Sequence, residues 1–210
     1  MEEKKGQPGG DRLKNGEILS RLLHREGRMD AGWVLKLMRP VLKTLADSHR
    51  SGQCMFRISP EYIWVYNEVW FCFALSEERM NKSPFQRDKG TGIISLLWEP
   101  WSALVTEQAA GVSGQPDRYA AAELYISEEN GGTWSDVYSV CAVMYRAMTG
   151  IVPQRACDRM MDDLMPPLSE LGVQLPAGQQ AALEKGFSIL AKDRYQDGAE
   201  LYAALYPHET

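Results

Sequence analysis

The residues of this chain that could do chemistry are few and dispersed. Asp136 is the most unusual of them: it stands in the stretch Thr133–Gly150, TWSDVYSVCAVMYRAMTG, where only Arg146 is charged between Val137 and Met148. A carboxylate at the start of an apolar helix suits the positive end of the helix dipole. It can equally accept hydrogen bonds from the backbone of a neighbouring loop. The four cysteines, Cys54, Cys72, Cys141 and Cys157, form no CxxC pair, and three of them sit in apolar sequence, as reduced, buried thiols do. His24, His49 and His208 are scattered, so no metal site is expected. Gly6–Gly10 reads GQPGG, but no strand precedes it, and an isolated Gly-rich run is no phosphate loop. Net charge is −5 and no Lys/Arg cluster is long enough for a nucleic-acid footprint.

The elements that must position these residues come from hydropathy. The chain has 210 residues, 44% hydrophobic and 24% charged, which suits one substantial core. Residues Met1–Asn15 read as a flexible, charged lead-in, and the absence of an apolar run in Met1–Gly10 argues against a signal peptide. A folded domain over 16–207 is expected. The segment 133–149 is apolar on all sides and is therefore a buried central helix, capped by Thr133 or Ser135 and ended by Gly150. It is too short to span a bilayer. Glu17–Arg25 has helical spacing. Asp30 caps a longer helix, Trp33–His49, with Pro40 predicting a kink or break. Aromatic and β-branched residues at Tyr62–Tyr66 and Val69–Phe73 predict one short β-hairpin, 62–73. Ser76–Arg118 is long, polar and Gly-containing, with one apolar patch at Ile93–Trp101. Further helices are expected over Ala156–Leu164, Gln179–Leu190 and Gly198–Leu205. The fold class is mainly α.

The central stretch WSDVYSVCAVMYRAMTG resembles the F helix in the C-terminal lobe of protein kinases, especially bacterial serine/threonine kinases. RYAAAELY at Arg118–Tyr125 is similar to the motif that closes a kinase activation segment, with Ala121-Ala122-Glu123 in place of Ala-Pro-Glu. ILAKDRYQD at Ile189–Asp197 resembles the motif before the last helix of the lobe. PQRACDRMMDDLMPPLSELG resembles the G-helix region. The resemblance covers about Asp30–Leu205. It implies a kinase C-lobe-like domain with 76–118 as the activation-segment-like region, Asp136 tying down the catalytic loop, and a buried Glu123–Arg194 pair. A plain helical domain unrelated to kinases is the reading if Glu123 and Arg194 lie far apart.

Phosphoryl transfer needs named parts. The catalytic loop H-R-D-x-x-x-x-N supplies a base and a metal-binding asparagine. HRSGQCMFRISPEYI, His49–Ile63, has the frame, with Ile58-Ser59-Pro60 as the turn after the motif. Met55-Phe56-Arg57 then stands where His-Arg-Asp belongs, and Tyr62 where the asparagine belongs. Arginine accepts no proton at neutral pH, and tyrosine is a poor Mg²⁺ ligand beside carboxylates and amides. Phe73 falls at the metal aspartate of Asp-Phe-Gly, and the nearest carboxylates, Glu77 and Glu78, come later. Only 29 residues precede Asp30, too few for the phosphate-binding N-lobe, which is expected to be absent. The resemblance therefore implies a pseudokinase: no catalytic residues, no metal, no cofactor, no ATP binding. The expected role is a cytoplasmic protein-binding or regulatory module whose partner is another protein, not nucleic acid or membrane, with Trp64, Trp70, Trp98 and Trp101 as the candidate partner surface. The alternative is a kinase-lobe enzyme completed in trans or using non-standard nucleotide chemistry.

Overall fold

The computed structural model describes residues 17–207 except 57, 67–68, 73–84, 88–93 and 97–117; for 64, 66, 69–72, 85–87 and 94–96 it describes the backbone alone. Two compact units result, one holding the chain up to Cys72 and from Pro116 onward, the other Phe73–Gln115.

Among the described residues, the first unit is built from six α-helices and a small sheet. Strand β1, Glu17–Ile18, leads directly into helix α1, Leu19–Glu26, whose Leu19, Leu22 and Leu23 are buried. Sequence periodicity had placed Glu17 and Ile18 in the helix; they pair instead, antiparallel, with Val65 and Trp64. Helix α2, Ala31–Arg50, begins at Asp30, whose carboxylate accepts from Trp33 N at 2.9 Å. It continues through Pro40 without the break that proline suggested. Pro40 withholds a hydrogen bond from the Lys36 carbonyl, and Lys36 lies on the exposed face, where water can substitute. The stripe Leu37, Met38, Val41, Leu42 and Leu45 stays buried on either side of it.

The hairpin forms as β2, Ile63–Tyr66, and β3, Val69–Cys72, with Ile63 opposite Cys72 and Tyr66 opposite Val69. Strand order is β1-β2-β3. The second unit holds a hairpin of its own: β4, Phe85–Arg87, pairs antiparallel with β5, Ile94–Leu96. It falls in the long, polar, Gly-containing stretch Ser76–Arg118, where no strand is expected, so the described residues hold two hairpins rather than one. Three-residue strands are too short for alternation to register.

Helix α3, Thr133–Thr149, is the buried central helix. Gly132 rather than Thr133 is its N-cap, and the Ser135 hydroxyl reaches back to accept from Gly132 N at 3.2 Å. Gly150, left-handed at φ 79°, closes it. Helix α4, Ala156–Arg159, stops well short of the expected Leu164, whose N–H is donated to Gln154 Oε1 at 3.1 Å instead of to a helical carbonyl. Helix α5, Ala177–Gly186, likewise ends early; Phe187 is buried beyond it, while Leu190 is half exposed and shares no helical face with it. Helix α6, Gly198–Leu205, is capped by Asp197, which accepts from Ala199 N and Glu200 N. Among the described residues no helix is long and apolar enough to cross a membrane.

Candidate functional site

The first turn of α3 carries Asp136 fully buried. Its two oxygens each take a backbone N–H from the loop after α2: Oδ2 accepts from Met55 N and Oδ1 from Phe56 N, both at 2.6 Å. A carboxylate that accepts two backbone N–H groups fixes a loop by charge-assisted hydrogen bonds. Phe56 is held at φ 53°, the left-handed region that a bulky residue rarely occupies. Backbone strain of this kind persists only where the surroundings over-determine it, and here the carboxylate does so.

His49, buried at the end of α2, completes the anchor. Its Nδ1 accepts from Gly198 N at 2.9 Å, which leaves the proton on Nε2 to be donated to Asp136 Oδ2 at 3.0 Å. One imidazole thus joins α2, α3 and the start of α6. Gly198 is required by this approach: a Cβ there would stand 3.0 Å from Ala46 N and from Leu45 Cγ.

The second anchor joins residues 71 positions apart. Arg194 Nη1 donates to Glu123 Oε1 at 2.7 Å and Nη2 to Oε2 at 3.2 Å. The guanidinium also donates to three carbonyls, Ser188 at 2.7 Å, Ile189 at 2.6 Å and Trp134 at 3.2 Å, and lies 4.8 Å from the Tyr138 ring centroid. Ser135 Oγ donates to Glu123 Oε1 at 2.7 Å. Burial opposes the charge on Glu123, but the Arg194 hydrogen bonds and charge, with Ser135, outweigh it and hold the carboxyl below its ordinary value. Glu123 and Arg194 therefore meet as the family resemblance implied, and the plain helical reading fails.

The remaining candidates are less completely placed. Tyr62 is half-buried, with its N–H on the Ser59 carbonyl at 3.0 Å. Trp64 and Trp70 stand in β2 and β3. Arg57, Phe73, Trp98 and Trp101, with Glu77 and Glu78, lie outside the described residues. Burial pushes the Cys141 thiol up to about 12, and burial together with the Asp136 charge pushes Cys54 up to about 11, so neither supplies a thiolate near neutrality. Among the described residues no group of three His, Cys, Asp or Glu side chains could hold a metal.

Sequence reasoning missed two features. The sequence places His49 only at a helix end, where a single imidazole carries no pattern. The second ion pair, Arg159 with Asp163 at 3.0 and 2.9 Å, has the i,i+4 spacing of a helical salt bridge, yet α4 ends between the two residues.

These anchors on a buried central helix define the C-terminal lobe of the protein kinase fold. No family model matches the chain. Over 138 residues, 66% of its length, it is 27% identical to the serine/threonine-protein kinase pkn3 of Myxococcus xanthus, and this covers 23% of that protein. Among solved structures, PpkA-294 in its apo form superposes with a TM-score of 0.64 at 19% identity, over 91% of this chain and 60% of that one. The kinase domain of Mycobacterium tuberculosis PknI gives 0.58 at 16% identity, over 92% and 62%. The chain is thus a kinase C-lobe-like protein with sequence homology to a bacterial serine/threonine kinase, and it spans less than two thirds of each of these relatives.

Proposed function

We propose that this chain is a catalytically inactive kinase-like lobe that serves as a protein-binding or regulatory module. One observation carries the reading. Asp136 pins the loop at Met55 and Phe56 with two 2.6 Å bonds, so the catalytic-loop frame is built, yet the next residue is Arg57, where the frame calls for the base. The metal-binding asparagine is replaced by Tyr62. A guanidinium cannot take the proton of an attacking hydroxyl, and without the metal ligands the charge on a transferring phosphoryl group goes uncompensated. Retaining the frame without the chemistry fits a fold kept for its surface. On this reading the chain works in the cytoplasm, holds neither ATP nor a metal cofactor, and acts through another protein.

A thermal melt with and without millimolar Mg²⁺-ATP tests this. Nucleotide at 100 times its Kd would stabilise the fold by about 2.7 kcal/mol, which for a domain of this size raises Tm by about 5–10 °C. The expected result is no shift. A clear shift, accompanied by phosphoryl transfer to protein or water, would overturn the inactive reading.

A further inference from the structure

The stretch Gln154–Leu168 has features that the Asp136 and Glu123 anchors do not require. It walls an open cavity of about 310 Å³ whose floor comes from buried Cys141, Tyr145, Leu168, Leu183 and Phe187. That volume lies at the lower end of the range for ligand pockets. The same stretch exposes three large apolar side chains, Met160 at 59%, Met161 at 89% and Leu164 at 69%.

The loop that presents them is held in place. Gln154 clamps it from both sides, its Nε2 donating to the Asp162 carbonyl at 3.0 Å and its Oε1 accepting from Leu164 N at 3.1 Å. Met165 N donates to Asp163 Oδ1 at 3.2 Å, and Tyr145 OH donates to the Pro166 carbonyl at 2.9 Å. Exposed apolar groups on a fixed loop lose little further entropy when a partner covers them.

Charge selects the partner. Arg159, the one cation among the described residues that line the cavity, is already engaged with Asp163, with the Tyr138 hydroxyl at 3.1 Å and with the Phe187 carbonyl at 3.2 Å, and its guanidinium lies 4.1 Å from the Phe187 ring centroid. Glu184 is exposed on the rim, and its carboxylate accepts from Gln180 Nε2 at 2.9 Å. Over the wider segment from Ala156 to Ile189, Asp158, Asp162, Asp163, Glu170 and Glu184 outnumber Arg159 and Lys185. An acidic segment would be repelled here, and a neutral one would bring no cation to Glu184.

We propose that Met160, Met161, Leu164 and the adjoining cavity form a docking site for a basic, amphipathic segment of a partner protein. Its apolar side chains cover the three exposed ones. One long cationic side chain enters the cavity, laying its aliphatic stem on Tyr145 and Phe187 and bringing its charge to Glu184, as lysine and arginine do where an apolar wall meets a charged rim. The inference rests on the binding-module reading and adds to it a surface and a class of partner.

Selection of random 12-residue peptides displayed on phage, with the intact chain as bait, tests the proposal. The expected peptides combine bulky apolar residues with at least one lysine or arginine. Measured by fluorescence anisotropy, a synthetic version binds M161S/L164S at least tenfold more weakly than the parent chain and Glu184→Gln several-fold more weakly. These side chains are exposed, so the variants keep the parent Tm. Selected peptides without a cationic residue, equal affinity for M161S/L164S, or no selected peptide at all would overturn it. So would sedimentation showing that the chain dimerises through this face, with dimerisation lost in M161S/L164S, because the occupant would then be a second copy. A chain that binds nucleotide yet selects basic peptides on this face retains the docking site and loses only the inactive reading.

Discussion

Two arginines flank Tyr138, and each is paired with a carboxylate at nearly the same distance, 2.7 Å for Arg194–Glu123 and 2.9 Å for Arg159–Asp163. The pairs nevertheless do different work. Arg194 and Glu123 leave 0% and 15% of their side chains exposed, and Arg194 adds three carbonyls drawn from two segments. Arg159 and Asp163 leave 7% and 42% exposed, lie four residues apart, and share one carbonyl and one phenol. Ion-pair distance therefore says little about role. Sequence separation and the exposure of the carboxylate separate a pair that closes the fold from one that shapes a surface.

Removing Arg194 should give the largest effect. Arg194→Met leaves the Glu123 carboxylate part-buried without its counter-charge and removes the bonds to three carbonyls. Breaking one side of a buried pair costs roughly 3–5 kcal/mol, which in a domain of this size lowers Tm by on the order of 10 °C. Urea denaturation followed by circular dichroism measures it. A loss under about 1 kcal/mol would mean that the pair does not close the fold.

Acid should weaken the same anchor. Glu123 is held below its ordinary value of 4.5, so its contribution is present above that value and is lost as the pH falls through the lower folded value. Asp163 is depressed as well, burial being outweighed by its bonds to Arg159, so wild-type acid sensitivity mixes the two. Glu123→Gln separates them: it should lower stability at pH 7 by less than Arg194→Met does, because Arg194 keeps its carbonyls. It should also flatten the fall of stability as the pH drops below the ordinary value of 4.5. If the two curves stay parallel, Glu123 is not the titrating anchor.

The contrast between these pairs also marks what sequence could reveal. The buried helix over 133–149, the hairpin and the Glu123–Arg194 contact were legible, because each rests on a run of apolar residues or on two motifs that agree. Asp136 was legible as a carboxylate in apolar surroundings. His49 was not, since one imidazole at a helix end carries no pattern, and its role depends on Gly198 arriving from 149 residues away. The ends of α4 and α5 were misjudged for a related reason. Met160, Met161 and Leu164 look like the continuing apolar stripe of a helix, and nothing local says that Gln154 and Arg159 will hold Asp162, Asp163 and Leu164 in a loop. Strand β1 takes its conformation from the hairpin edge, a tertiary override of helical spacing.

The smallest effect should come from the second pair, and it discriminates most finely between the two roles. With 42% of the Asp163 side chain exposed, water screens the bond, and pairs of this kind contribute about 0.2–1 kcal/mol. Asp163→Asn should therefore shift the urea midpoint only slightly, since asparagine still offers an oxygen to Arg159 and to Met165 N. Its consequence should fall on the surface instead. With one carboxylate gone, the positive charge of Arg159 at the cavity is no longer neutralised, and a basic peptide should bind several-fold more weakly at unchanged fold stability. A stability loss rivalling that of Arg194→Met would erase the distinction between the pairs. Unchanged stability with weakened peptide binding would instead separate folding from recognition at two arginines that share one tyrosine.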